Sequence, residues 1–196
     1  MGRGHGGSRG SGGAKGFQGD ASMRGYTAGL AKAVTDRESE IRDFSEYEKI
    51  SIFDEKGNEV FRNDHGNAHS ATYDPTKAAN NIMTHNHPEG GSFSWKDVTG
   101  AIGTNMKEIR AVGSQFTYSL KRPERGWRIG GYELGTVRDR YNSIMMSKAM
   151  AAKSYVLSYK GDRETAMRRA SFILAHQTMK QLSKEYGWTY TVTKSK

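Results

Sequence analysis

The sequence predicts an α/β (α+β) protein, a mixed sheet with flanking helices. Short strand-like runs are separated by helix-length intervals. The first half carries a clear helix start at Asp74-Pro75, and the last third holds two long stretches of helical period. Ala28 to Arg42 reads as a first helix, marked by Leu30, Val34 and Ile41. Lys49 to Phe53 is a strand, Glu55-Lys56-Gly57-Asn58 a turn, and Glu59 to Arg62 the returning strand of a hairpin. Asp74 caps a short helix with proline at its first position. Ile82-Met83-Thr84 is a strand that delivers His85 to its end, and Ser94 to Met106 is helical. Ile109–Val112 and Phe116–Leu120 are two more strands around Gly113-Ser114. The resulting order β-β-α-β-α-β-β suits a mixed sheet with helices packed on it.

From Thr136 to Tyr159, apolar residues recur at helical spacing through Val137, Tyr141, Ile144, Ala152 and Tyr155. Lys160-Gly161-Asp162 breaks the pattern. A second helix runs to Tyr186, with Phe172, Ala175, Met179 and Leu182 on one stripe. Trp188 to Val192 alternates like a short strand or an extended tail. Residues 1–19 are a Gly/Arg/Ser tract with too little apolar surface to offset the entropy of ordering, and are expected to be disordered. The expected organisation is therefore a 1–19 tail, a 20–121 α/β domain and a basic helical extension over 122–196.

Charge is unevenly distributed. Of the net +9, residues 122–196 carry fifteen basic and six acidic side chains, whereas residues 41–121 carry nine and eleven. A basic helical region favours anionic partners, nucleic acid or an acidic protein, and is expected to take no part in chemistry. Its alternative is a well-solvated helical face. A mean hydropathy of −0.79 and the lack of any apolar run near the ~18 residues of a membrane span point away from a membrane. The absence of cysteine fits an intracellular setting and excludes a cysteine-based structural zinc site.

The chemistry concentrates in Thr84-His85-Asn86-His87-Pro88-Glu89-Gly90-Gly91-Ser92-Phe93-Ser94-Trp95-Lys96-Asp97. On an extended segment, residues i and i+2 face the same side, so His85 and His87 can share one ion while Asn86 faces away. With Asp97 they offer three ligands and leave a fourth position open, the arrangement of a catalytic zinc site. Ser94-x-x-Asp97 by itself is an ordinary helix-capping pattern. His65 and His69 read as loop histidines, and His176 as a structural helix residue.

The same segment resembles the metal signature of the JAB/JAMM (MPN+) metallopeptidases: an upstream glutamate, His-x-His, then Ser-x-x-Asp. The wording His85-Asn86-His87-Pro88 with Gly90 is most similar to the RadC-like and phage-associated branch. The resemblance spans about Glu46 to Leu120, including Phe53-Asp54-Glu55-Lys56-Gly57-Asn58 and Glu108-Ile109-Arg110-Ala111-Val112-Gly113. Six residues separate His87 from Ser94, where the family pattern has seven.

The resemblance implies a JAB/MPN-type sheet and Zn2+ on His85, His87 and Asp97. It also implies a glutamate base, with Ser94 donating to the oxyanion of the intermediate. For the base, the spacing to Asp54 in RadC-like chains points to Glu46, and proximity to the strand core set by Ile50 and Ile52 favours Glu48. Glu48 stands first and Glu46 stays open. The implied activity is hydrolysis of a peptide or isopeptide bond, with a peptide or ubiquitin-like protein as substrate. A phage or prophage protein is expected, in the bacterial host cytoplasm or on a virion. The alternatives are a non-catalytic phage-associated binding protein, acting through the basic helices on nucleic acid or a protein partner, and a RadC-like metal-dependent nucleic-acid enzyme.

Overall fold

The computed structural model describes residues 23–195; the 1–19 tail lies outside the described residues. Helix α1 (Ala28–Ile41) precedes the hairpin β1 (Ile50–Phe53) and β2 (Glu59–Asn63). Then come α2 (Pro75–Ala78), β3 (Ile82–Asn86), α3 (Trp95–Gly103), β4 (Glu108–Val112) and β5 (Phe116–Lys121). A 3-10 turn at Gly131–Glu133 leads into α4 (Leu134–Ser158), followed by α5 (Arg163–Tyr186) and β6 (Thr189–Lys194). The six strands form one mixed sheet in the order β2-β1-β3-β4-β5-β6. Only β3 and β4 run parallel, as the crossover through α3 requires; the other neighbours are antiparallel. The mixed α/β class expected from the sequence is the one observed.

Local chemistry accounts for the element ends. Asp54 organises the β1–β2 turn by accepting from the backbone N–H groups of Lys56 and Asn58, both at 2.9 Å. Gly57 adopts φ +90°, and a Cβ there would stand 3.0 Å from the backbone of Leu30. Thr27, Asp74, Ser94 and Asp162 cap their helices with side-chain oxygens. Helix α3 stops earlier than Met106 because Asn105 turns left-handed at φ 54°. Helix α5 ends at a left-handed Gly187. Of Trp188–Val192, ambiguous in sequence, all but Trp188 belong to strand β6, which pairs along its length with β5. Residues 122–195 thus share the sheet of the preceding unit, and they share its core as well. Trp127 donates its indole N–H to Met106 O, and Tyr141 its hydroxyl to Phe93 O.

The two faces of the sheet differ in chemistry. One face carries the main apolar core: Ile50, Ile52, Met83, Ile109, Ala111 and Leu120 pack against α3, α4 and α5 residues such as Val98, Ile102, Ile144 and Met179. The other face lies under α1. Its apolar part is small, built from Met23, Leu30, Val34, Phe53 and Ile82. The rest is charged and buried. Arg110, with no exposed surface, grips Glu38 of α1 through Nε and Nη2 and donates from Nη1 to Glu108 at 2.7 Å. Glu108 also accepts from Ser119 Oγ and Tyr26 Oη, each at 2.6 Å. Thr84 donates to Glu38 at 3.1 Å. This cluster ties α1 to β3, β4 and β5 by charge where an apolar contact would be usual.

Removing one member of a buried ion cluster strands the others. Arg110→Ala is expected to lower unfolding free energy by about 3–5 kcal/mol in urea denaturation, because Glu38 and Glu108 lose their guanidinium partner. A loss below about 1 kcal/mol would show that α1 is held by its apolar contacts instead.

Candidate metal centre

Strand β3 is buried on both faces, and its alternation sorts the motif. Thr84 and Asn86 face the α1 side. Met83 and His85 face the core side, and His87 follows at the strand end. The histidines meet edge to edge, with Nε2 to Nε2 at 2.9 Å. Asp97, in the first turn of α3, completes the group: His85 Nε2 lies 3.5 Å and His87 Nε2 3.6 Å from its carboxylate oxygens. Two atoms bound to one tetrahedral zinc about 2.0 Å away stand about 3.3 Å apart; the three separations lie near that spacing, although the two to Asp97 end on different oxygens, Oδ1 for His85 and Oδ2 for His87. These three residues can hold one metal ion.

His87 and Asp97 are each oriented by a second contact, whereas His85 Nδ1 has no hydrogen-bond partner. His87 Nδ1 lies 2.8 Å from Gly91 O, to which its N–H donates, leaving Nε2 free for a cation in the neutral ring. The return of the chain that brings Gly91 there depends on glycine. Gly90 sits at φ +76°, and a Cβ on Gly113 of the β4–β5 turn would collide with Gly90 Cα at 2.7 Å. Asp97 Oδ2 accepts from the backbone N–H of Ser94 at 2.7 Å and from its hydroxyl at 2.8 Å. Ser94 Oγ in turn accepts from Asp97 N at 3.3 Å. The capping box therefore does double duty: it starts α3 and aims a carboxylate that can ligate a metal. The one-residue-shorter interval from His87 to Ser94 still brings Ser94 to the rim of the same cavity.

That cavity measures about 560 Å³ and contains all three ligands, Ser94 and Glu48. Residues Ile50 and His85 are paired across β1 and β3. Continuing that antiparallel register by two residues sets Glu48 opposite His87, on the ligand side. Burial lifts the Glu48 carboxyl above its ordinary range. His85 and His87 oppose the rise, Asp97 adds to it, and His69 opposes it more weakly. Glu46 is exposed and lies outside the cavity wall. His69, read from sequence as a plain loop residue, borders the cavity, whereas His65 does not.

The helices expected to stand apart from the chemistry supply one wall of its cavity. Tyr141 and Met145 of α4 and Ser171 and Phe172 of α5 line it, and the Phe172 ring lies over Gly90 and Gly91. No spacing in the sequence announces this, because the docking of α5 on the Gly-rich loop is purely tertiary. His176, read as a structural helix residue, contacts Tyr190 Oη at 3.0 Å, and that hydroxyl in turn meets Ser92 Oγ at 2.8 Å.

Burial works against charge on His87, but hydrogen bonding and attraction from Asp97, aided by Glu48, outweigh it and raise the imidazole to about 9. Burial likewise works against the Asp97 carboxylate, yet the two imidazoles hold it well below its usual range. The metal-free pair is therefore an imidazolium–carboxylate. Because the folded value lies above the ordinary 6.5, its stabilising effect is complete below about 6.5 and is lost as pH rises through about 9. A cation entering the site must displace that proton. Titration calorimetry in buffers of different ionisation enthalpy is expected to show about one imidazolium proton released per zinc bound at pH 7.5, added to any lost by water at the metal, and total release should fall by up to about one proton as the pH is raised well past 9. Proton release that stays constant across this range would contradict the pairing.

Compared with protein-family models, with curated proteins and with solved structures, the chain matches none of them.

Proposed function

We propose that the protein is a zinc-dependent hydrolase of JAB/JAMM type that cleaves a peptide or isopeptide bond. The observation that carries this reading is the meeting of His85, His87 and Asp97 in one cavity, at edges of 2.9 to 3.6 Å, with Glu48 beside them. Two imidazoles and a carboxylate are a donor set suited to zinc, with a fourth position left for water or substrate. Bound there, zinc would supply an electrophile and lower the pKa of water at the site toward neutrality.

The chain's own residues divide the remaining work. Glu48 takes a proton from the attacking water and returns it to the leaving amine. A carboxyl lifted by burial is better matched to both transfers near neutral pH than an exposed one. Ser94, at the cavity rim, offers its hydroxyl to the substrate oxygen on which negative charge develops; rotation about one bond turns it from Asp97. Tyr73, Tyr141, Met145 and Phe172 give the cavity an apolar wall that takes substrate side chains and excludes water. A ubiquitin-like protein or a peptide is the proposed substrate. The proposed setting is a phage or prophage protein in the bacterial cytoplasm or the virion. Among the described residues no helix is long and apolar enough to cross a membrane.

Elemental analysis is expected to find one zinc per chain in the wild type and none in His85→Ala/His87→Ala. Glu48→Gln is expected to retain zinc and lose about 10²–10⁴-fold in kcat, as removal of a general base does. Glu46→Gln, altering an exposed residue, should stay within about twofold. A dead Glu46→Gln beside an active Glu48→Gln would transfer the base to Glu46. Two active variants would remove the mechanism.

A second reading, a binding protein acting through its basic helices, is favoured by one specific observation. No residue from Met145 to Thr165 is buried, so the far halves of α4 and α5 form an exposed two-helix arm. It displays Met146, Met150, Leu157 and Met167 alongside Lys148, Lys153, Lys160 and Arg163. If phosphate contacts govern the arm, association with duplex DNA should weaken by about tenfold or more between roughly 50 and 200 mM salt. Replacing those four cations with glutamine should flatten that dependence without changing zinc content. Salt-independent behaviour in a gel-shift or anisotropy assay would return the arm to a solvated surface.

A further inference from the structure

Asn86 lies between the two histidines, points to the opposite face of β3 and is completely buried. Its side chain is saturated by one short segment of backbone. Nδ2 donates to Phe44 O at 2.7 Å and to Tyr47 O at 3.0 Å, and Oδ1 accepts from Lys49 N at 2.7 Å. Its own backbone N–H donates to Lys49 O at 3.3 Å. Residues 44–49 precede β1 and carry no ladder of their own, so these bonds take the place of strand pairing. Glu48 is inside the clamped segment. On its other side, Glu48 N donates to Asn67 O at 2.8 Å and Glu48 O accepts from Gly66 N at 3.2 Å.

We infer that Asn86 is a positioning residue that holds the Glu48-bearing segment over the metal centre, so that β3 and its end place both histidines and the base. The inference rests on the hydrolase reading above for the role of Glu48, and on bonds in the fold for the anchoring itself. An amide is the side chain suited to the task. It alone presents two donors and an acceptor in one plane, matching two carbonyls and one N–H without introducing charge into a buried site. Leucine or alanine at this position would leave three backbone groups without these partners. Aspartate would keep the acceptor for Lys49 and lose both donors.

The test uses the full zinc-loaded chain as wild type, Asn86→Ala, Asn86→Asp, Glu48→Gln and the Glu48→Gln/Asn86→Ala double variant. Asn86→Ala is expected to keep its zinc. Amide hydrogen exchange over residues 44–49 should rise by about tenfold or more, with α3 and β4 unchanged. With a peptide or ubiquitin-like fusion as substrate, its kcat should fall by about 100-fold while KM stays within about threefold. The double variant should be no slower than Glu48→Gln, because Asn86 acts only through Glu48.

A residue with a merely structural role would slow the double variant further, and that result overturns the inference, as does wild-type exchange in Asn86→Ala. Should Asn86→Ala fail to fold, Asn86→Asp carries the same comparison with a smaller loss. Asn86→Asp with wild-type exchange and wild-type kcat would overturn the inference too. A wild type that holds zinc but hydrolyses none of these substrates, with exchange in 44–49 still dependent on Asn86, would sink the hydrolase reading and leave the anchoring supported.

Discussion

Strand β3 has water on neither side, and that constraint organises the rest of the molecule. Each polar group on a doubly buried strand must find a partner, and β3 carries Thr84, His85 and Asn86 in succession. Thr84 is answered by Glu38, which is answered by Arg110. Asn86 is answered by the backbone leading into β1. His85 faces the other side, where its Nδ1 has no hydrogen-bond partner and its Nε2 faces His87 and Asp97. Three adjacent side chains thus recruit α1, the segment before β1, and α3. The helix and loop arrangement around the sheet follows from satisfying one strand.

The charged face under α1 is the less common solution. A helix usually docks on a sheet by apolar contact, and here only a small cluster does so. The guanidinium of Arg110 between Glu38 and Glu108 supplies direction rather than net attraction, since desolvating three charges consumes much of what their pairing returns. What it gives is a fixed register of α1 against β4, because a two-pronged contact tolerates little sliding. The apolar core on the opposite face is then free to be shaped by the cavity.

The sequence made the strands β1 to β5, the helix starts and the His-His-Asp grouping legible, each for a local reason. Alternation, caps and ligand spacing act within a few residues, and Thr27, Asp74, Ser94 and Asp162 all cap as their types prefer. What was not legible depends on distant partners. The alternation Glu108-Ile109-Arg110-Ala111-Val112 looks like a half-exposed strand, yet both faces are covered, because a helix from residues 28–41 brings the counter-charge. The wall built by Phe172 has no local signature, since an aromatic on a helix stripe packs equally well against a core or a glycine loop. Glu46 and Glu48 share parity, and only the tertiary register, running from the Ile50–His85 pair, separates the one beside the cavity from the one in solvent.

The position of β6 has a consequence for how the chain is made. Among the described elements it is synthesised last, yet it is a full member of the sheet, covering the edge of β5. Until it emerges from the ribosome, β5 offers an unpaired edge to any neighbouring nascent chain, and α5 has no strand beside it. His85, His87 and Asp97 can come together early, but the cavity wall above them is made only later, from α4 and α5. A polypeptide released short of Thr189 would therefore carry the candidate ligands and the wall residues but leave β5 as an open edge.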